Sequence, residues 1–517
     1  MKYSRLLSLF TILSSLLFAS QASETPNIVI IYADDLGYGD VHIYNPERGK
    51  IPTPHIDRMA REGMRFTDAH SSSGVCSPSR YTLLTGRYHW RTRLQRGIVS
   101  LWGPPVIPPD RLTIAGLAKQ AGYQTTCIGK WHRGWNWPIE EEDKEWFLTG
   151  GYGGEKDLTA TAVHREAWKR AFTQPIKGGP TANGFDTYFG TDVPNWPPYC
   201  YIENERTIGI PTEYADVSLF EKNQASIQGP ALNDWTLETI LPELRKRASE
   251  YIRESAPKDD PYLIYLPLTS PHTPLSVNSE WEGKSGLGLY ADFVMETDAV
   301  VGQVLQAIDD SGEAENTFVL FTSDNGCAPY IDVESLEKQG HYPSGPLRGY
   351  KSDAWEGGHR VAFIARWPKV ISRNTINRQL VHQADLLATI ADIVDQELPA
   401  NAGEDSFSFL SLLQGSDQPI RQHAVSCSIR GLPSIRDGQW KLIVGPGSGG
   451  WTDGSENEAV QLYNLADDLG ETRNLAEQHP ERVADMTAVL ESYIQFGRSS
   501  KGPAQHNDID VVRHPLQ

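Results

Sequence analysis

Four short apolar runs constrain this chain more than any other feature: Asn27 to Ala33 (NIVIIYA), Tyr262 to Leu268 (YLIYLPL), Thr317 to Thr322 (TFVLFT) and Val361 to Arg366 (VAFIAR). Rich in Val, Ile and aromatics, they read as buried strands. Between them lie helical patterns, among them Ile56 to Glu62, Thr113 to Ala121, Phe293 to Asp309 and Gln383 to Val394. That alternation predicts an α/β fold in which helices sandwich a large, mostly parallel sheet. After about Gly415 the texture changes to short strands, Ala424 to Ile429 and Leu432 to Val444, with Gly-rich turns such as Gly445 to Gly454 and a helix near Glu481 to Phe496. A catalytic domain over 23–415 and a smaller α+β domain over 416–517, built on a short antiparallel sheet, are therefore expected.

In open α/β sheets, ligands collect beyond the carboxyl ends of the strands. Polar clusters stand at three such ends: Asp34-Asp35, Ser270-Pro271-His272 and Asp324-Asn325-Gly326. Adjacent carboxylates repel one another unless a cation or protons neutralise them. Asp34, Asp35, Asp324 and Asn325 offer oxygen ligands only, a donor set for Ca²⁺ or Mg²⁺ and not for zinc. Taken singly, each pair also fits a turn or a helix N-cap.

The segment Cys76-Ser77-Pro78-Ser79-Arg80 is followed by YTLLTG, which reads as a helix. Cys76 is thereby set near a helix N-terminus, where backbone N–H groups favour anions. The bland alternative is a buried structural cysteine before a Pro-started helix.

Met1 to Ala22 carries Lys2 and Arg5, an apolar stretch from Leu6 to Ala19, and small residues before a cut. It reads as a secretory signal peptide, since the apolar stretch falls short of a membrane span. A secreted or periplasmic protein without a membrane span is expected. Loss of the leader takes the formal charge from −19 to −21, a surface that repels nucleic acid and anionic membranes. An anionic substrate then needs a local cluster of cations. The five cysteines, Cys76, Cys127, Cys200, Cys327 and Cys427, follow no zinc or redox spacing, and their odd number leaves at least one unpaired.

Across nearly the whole mature chain, PNIVIIYADDLGYGD, CSPSRYTLLTGR, GKWH, SPHTP, SDNG, LRGYKSDAWEGGHRV, IRDGQWKLI and LYNL together resemble the type I sulfatases of the alkaline phosphatase superfamily. Cys-x-Pro-x-Arg is that family's signal for oxidation of Cys to formylglycine by a separate maturation enzyme. The resemblance implies one calcium ion on Asp34, Asp35, Asp324 and Asn325, with position 76 also at the metal. It implies fixed positive charge from Arg80, Lys130 and Lys351, the two lysines binding substrate sulfate. One hydroxyl of hydrated formylglycine would attack sulfur with help from Asp324, and the other would expel sulfate as the aldehyde re-forms. His132 matches the residue that assists sulfate release, and His272 the one that protonates the leaving oxygen.

The expected substrate is a sulfated carbohydrate. The Trp- and Pro-rich stretch from Trp131 to Trp235 shows little periodicity and reads as loops shaping a pocket. In it Trp135, Trp137, Asn195-Trp196, Tyr199 and Tyr201 either stack on a sugar or pack the loops together. No sulfate contact is assigned within Asp192 to Pro198, and His359 and Arg360 fit a structural role at least as well as a substrate contact. Two rival functions stand beside the sulfatase reading: a phosphate or phosphonate ester hydrolase of the same superfamily, and a non-catalytic glycan-binding relative.

Overall fold

The computed structural model describes residues 25–512 apart from 150–157, 221, 222, 224, 259 and 455–457. The leader expected over Met1 to Ala22 lies outside the described residues. Four parallel strands form the centre: β1 (Asn27–Ala33), β2 (Gln124–Ile128), β3 (Tyr262–Pro267) and β4 (Thr317–Ser323). In space they run β4-β1-β3-β2, with Ile30 level with both Tyr265 and Leu320. Beyond β4, the strand Phe363–Arg366 pairs antiparallel. Beyond β2, Thr187–Gly190 pairs parallel, and the sheet reaches ten strands.

The unbroken apolar character of β1 follows from burial on both faces. Val29, Ile31 and Ala33 enter one core with Met59, Leu244, Val301 and Leu305. Ile28, Ile30 and Tyr32 enter the other with Leu83, Leu117 and Leu387. Helices Pro54–Glu62, Ile240–Ser255 and Leu289–Asp310 cover the first face. Helices Cys76–Thr85, Ile114–Gln120 and Asp385–Ile393 cover the second. The expected α/β sandwich is the observed fold, and no helix among the described residues is long and apolar enough to cross a membrane.

Near the C terminus stands a separate four-stranded antiparallel sheet. The single run expected over Leu432 to Val444 is in fact two strands, Pro433–Asp437 and Trp440–Ile443, reversing at Gly438-Gln439. Gly438 adopts φ +53°, which lets the chain turn there. The stretch from Trp131 to Trp235 also holds more structure than expected, including the helix Ala162–Phe172. All five cysteines are buried and unpaired.

Buried charge fastens the small sheet to the segments that flank the large one. Lys441 Nζ lies 3.1 Å from Glu356, 2.8 Å from Glu471 and 3.3 Å from His359 Nε2. Arg436 pairs with Asp68 at 3.0 Å, and His70 Nε2 meets the same carboxylate at 2.8 Å. His359 and Arg360 belong to this network, Arg360 pairing with Glu356 at 3.2 Å. Removing the cation strands two buried carboxylates. Lys441→Met is expected to lower stability by about 3–5 kcal/mol, read from urea unfolding curves of the two proteins.

Candidate active site

The carboxyl ends of the four central strands lie side by side, and each delivers part of one cluster. β1 ends into Asp34-Asp35, β4 into Asp324-Asn325, β2 into Gly129-Lys130-Trp131-His132, and the chain beyond β3 carries His272. Gly129 is required for this approach: its φ is +137°, and a Cβ there would lie 1.9 Å from the carbonyl oxygen of Pro267. A helix on one face, α1 (Cys76–Thr85), is buried along its whole length and begins with Cys76. Gly86 closes it in the left-handed conformation, donating its N–H to Thr82 O.

Carboxylates and cations interlock here. Lys130 Nζ sits 2.6 Å from Asp34 Oδ2, and Lys351 Nζ 2.6 Å from Asp35 Oδ2. Arg80 donates from Nε and Nη2 to Asp324 Oδ2 at 3.0 and 2.7 Å, and its Nη2 lies 3.2 Å from Asp34 Oδ1. Asp324 Oδ1 accepts the Asp35 N–H at 3.1 Å, and Asn325 Nδ2 donates to Asp35 Oδ1 at 2.8 Å. One ligand atom each from Asp34, Cys76 and Asp324 fall within 4.8 Å of one another, as do those of Asp34, Asp35 and His272. All ten candidates named from sequence, Asp34, Asp35, Cys76, Arg80, Lys130, His132, His272, Asp324, Asn325 and Lys351, are buried in this region.

Burial and charge set the protonation states. Burial raises carboxyl pKa values, but Lys130, His272 and Arg80 hold Asp34 well below its usual range. Burial and then Asp34 push Asp324 well above it, against Arg80. Burial works to lower the Lys351 ammonium, yet Asp35 holds it well above its usual value. Burial lowers His132 to about 3 and His272 to about 4, so both imidazoles are neutral at neutral pH. His132 Nε2 faces the Val99 carbonyl at 3.2 Å, and its Nδ1 is buried without a partner. His272 Nδ1 faces the Thr273 carbonyl at 2.5 Å, leaving Nε2 3.6 Å from Asp35 Oδ2.

Three supporting residues carried no signal in the sequence. Asp192 accepts the His132 backbone N–H and the Trp135 indole N–H, each at 3.0 Å. Ser323 Oγ accepts the Leu36 N–H and donates to Asn325 O. Tyr290 donates from its hydroxyl to Asp40 at 2.5 Å, and the same hydroxyl lies 3.3 Å from the Asp35 carbonyl. Of the aromatics considered as a sugar platform, Trp135 and Tyr199 are buried and Trp137 packs on Trp102 and Trp135. Tyr201 packs on Phe189 and Trp235. Of these, only Trp196 meets a site residue, its ring centroid 5.6 Å from that of His132 in an edge-to-face arrangement.

Next to the site, His89 Nδ1 lies 2.9 Å from Ser72 Oγ, and burial lowers its pKa from 6.5 to about 3. Between those values the unfolded chain binds a proton that the folded one refuses, so stability falls as pH drops below 6.5. From about pH 7.5 to about pH 5, this one histidine is expected to cost about 2 kcal/mol. His89→Asn should narrow the difference between urea unfolding free energies at the two pH values by that amount.

Comparison with known proteins follows the same lines. A family model described as Sulfatase matches residues 26–396. The chain is 33% identical over 490 residues to the N-acetylgalactosamine-6-O-sulfatase of Bacteroides thetaiotaomicron, covering 91% of this chain and 94% of that protein. It is 29% identical over 538 residues to arylsulfatase G of Homo sapiens, covering 96% and 92%. Among solved structures, a Bacteroides thetaiotaomicron sulfatase tied to the metabolism of multiple glycosaminoglycans matches with a TM-score of 0.75 and 29% identity, over 91% of this chain and 99% of that one. A Pseudoalteromonas sp. sulfatase shares the fold, with a TM-score of 0.65 and 22% identity over 91% and 90%.

Proposed function

From the premise that this chain belongs to the sulfatase family and is a sulfuric ester hydrolase, we propose that it removes sulfate from a glycan through formylglycine made from Cys76, with one calcium ion. The observation that carries this reading is the position of Cys76: it heads a buried helix, its sulfur grouped with carboxylate oxygens of Asp34 and Asp324, with Arg80 one turn on. Formylglycine supplies a hydrated aldehyde with two hydroxyls on one carbon, one to attack and one to release.

The residues fit a hard divalent cation. Asp34, Asp35, Asp324 and Asn325 present oxygen, and Asn325 Oδ1 is buried with no hydrogen-bond donor. When bound, the ion supplies a fixed point of positive charge for sulfate oxygens. A dication would favour ionised Asp324 against the burial that raises it; with all three carboxylates ionised, Arg80, Lys130 and Lys351 balance them one for one and the ion leaves the cluster at +2, suited to a sulfate ester anion. The negative surface makes such a local excess necessary.

Each histidine has one nitrogen committed to a carbonyl, which fixes the working atom of the other. His132 offers the lone pair of Nδ1 as a proton acceptor. His272 works from Nε2 and gives up a proton there only when doubly protonated, a state that an anion bound beside it favours. Asp192 holds the His132 backbone and acts through it.

The maturation enzyme must meet this segment before folding, because Cys76 to Arg80 are all buried in the folded chain. A leader over Met1 to Ala22 accords with secretion or a periplasmic location, where sulfated polymers are encountered. We assign catalysis to 23–415 and a supporting role to 416–517, whose antiparallel sheet contributes Lys441. The Bacteroides relative's N-acetylgalactosamine 6-O-sulfate is the first substrate to try.

Two measurements test the chemistry. In protein co-produced with a maturation enzyme, the peptide containing position 76 should carry an aldehyde in place of the thiol. The same protein should hydrolyse an aryl sulfate faster than the matched aryl phosphate. Full activity with unmodified Cys76 would overturn the nucleophile, and faster phosphate hydrolysis would favour a phosphate or phosphonate esterase.

A further inference from the structure

Of the exposed large apolar side chains among the described residues, only Tyr330, Trp451 and Phe496 are aromatic. Tyr330 and Trp451 are 45% and 43% exposed, yet their rings lie 5.9 Å apart at 45°. Both stand beside the site. The Trp451 ring is 5.9 Å from Lys351 Nζ, and burial raises the pKa of the Tyr330 hydroxyl, with Lys351 and Asp35 close enough to act on it. They reach this position from different parts of the chain: Tyr330 follows the Asp324-Asn325 strand end, and Trp451 comes from the glycine-rich turn of the C-terminal sheet region.

The backbone under Trp451 is fixed while its side chain stays 43% exposed. Trp451 N–H donates to Ser352 Oγ at 2.8 Å, and Thr452 N–H to Asp353 Oδ1 at 3.2 Å. Ala354 N–H donates to Ser448 O at 2.8 Å. A Cβ on Gly450 would lie 2.3 Å from Asp353 Oδ1, so the turn is seated directly on the residues after Lys351. A pinned turn that holds an indole 43% exposed beside Lys351 leaves aromatic surface open to a further contact. Exposed aromatics are costly in water unless a partner covers them, and tryptophan contributes most where its face is covered.

We propose that Tyr330 and Trp451 form an aromatic rim on which a sugar ring of the substrate stacks while its sulfate enters the pocket beside Cys76 and Lys351. This rests on the glycan sulfatase reading above and adds the surface that grips the sugar. A saccharide is the fitting occupant because it joins an anionic sulfate to apolar C–H faces. The rim offers the same pairing, a lysine ammonium beside aromatic faces. The C-terminal sheet region thereby contributes to substrate selection as well as to stability.

The test uses matured, calcium-loaded full-length enzyme and sulfated oligosaccharides. Sulfate release is measured for the wild type, Trp451→Ala, Trp451→Phe and Tyr330→Ala, with inhibition by inorganic sulfate as the probe of the sulfate pocket alone. The expected result is a KM for the oligosaccharide raised about 10- to 100-fold in Trp451→Ala. Trp451→Phe, which keeps a ring, should stay within about threefold, and the sulfate inhibition constant of every variant within about twofold. Wild-type KM values in both alanine variants would overturn the rim and leave the glycan reading standing. A sulfate inhibition constant that shifts with KM, or a Phe variant as impaired as Ala, would make Trp451 a structural anchor and also overturn it. Hydrolysis of aryl sulfate but of no saccharide would overturn the rim and the glycan reading together.

Discussion

Replacing Cys76 by Ala is expected to reduce sulfate release by about 10⁴-fold or more, the scale on which loss of an enzyme's nucleophile acts. The fold should survive the change. Cys76 is 3% exposed and heads α1, where the missing sulfur leaves a small gap next to groups that hold one another through Arg80, Asp324 and Asp34. A thermal midpoint close to wild type, together with lost turnover, separates chemistry from stability. Cys76→Ser makes the sharper comparison, because a single hydroxyl attacks but lacks the second hydroxyl needed for release. It should take up sulfate once and then stall, seen as sulfate covalently retained on the protein.

Asp324→Ala is expected to have the second largest effect, and on two quantities at once. The substitution removes one oxygen ligand and leaves the Arg80 guanidinium, fully buried, without the two hydrogen bonds of 3.0 and 2.7 Å that now satisfy it. Arg80 keeps only the Asp34 carboxylate at 3.2 Å as a charged partner; breaking a buried ion pair by removing one partner costs about 3–5 kcal/mol, and loss of the metal site should lower turnover by about 10³-fold. Calcium addition supplies a readout apart from activity. A cation that binds only the folded wild type raises its unfolding midpoint with concentration, and Asp324→Ala should show no such rise. An equal rise in both proteins would place the ion elsewhere.

The parts of the structure that were legible in the sequence are those fixed by burial. β1 runs over the expected residues because a strand apolar from Ile28 to Ala33 is stable only when covered on both faces. The polar groups directly after it and after β4 then had to gather at one edge of the sheet. The hairpin at Gly438-Gln439 escaped because apolar residues continue on both sides of the turn. The helix Ala162–Phe172 escaped because its apolar face, Ala167, Trp168, Ala171 and Phe172, packs into a small separate cluster with Phe147, while the rest of it is polar.

For the site, adjacency in sequence was the limit. Asp34-Asp35 and Cys76 to Arg80 announce themselves as local patterns, whereas Asp192 supports His132 across 60 residues with nothing nearby to mark it. The loop aromatics Trp135 and Tyr199 proved to be interior, since bulky rings in an irregular segment supply the core that the segment otherwise lacks. Trp451, a lone aromatic in a glycine-rich turn, offered no local clue. Its meaning depends on where Lys351 lies.

The most direct test is inorganic sulfate release from a panel of N-acetylgalactosamine 6-O-sulfate saccharides, other sulfated glycans and one aryl sulfate. It uses protein co-produced with a maturation enzyme, with Cys76→Ala as the blank. The predicted result is calcium-dependent sulfate release from at least one glycan class and none from the blank. No release from any glycan by protein whose position 76 carries the aldehyde, or equal release by the Cys76→Ala blank, would contradict the account.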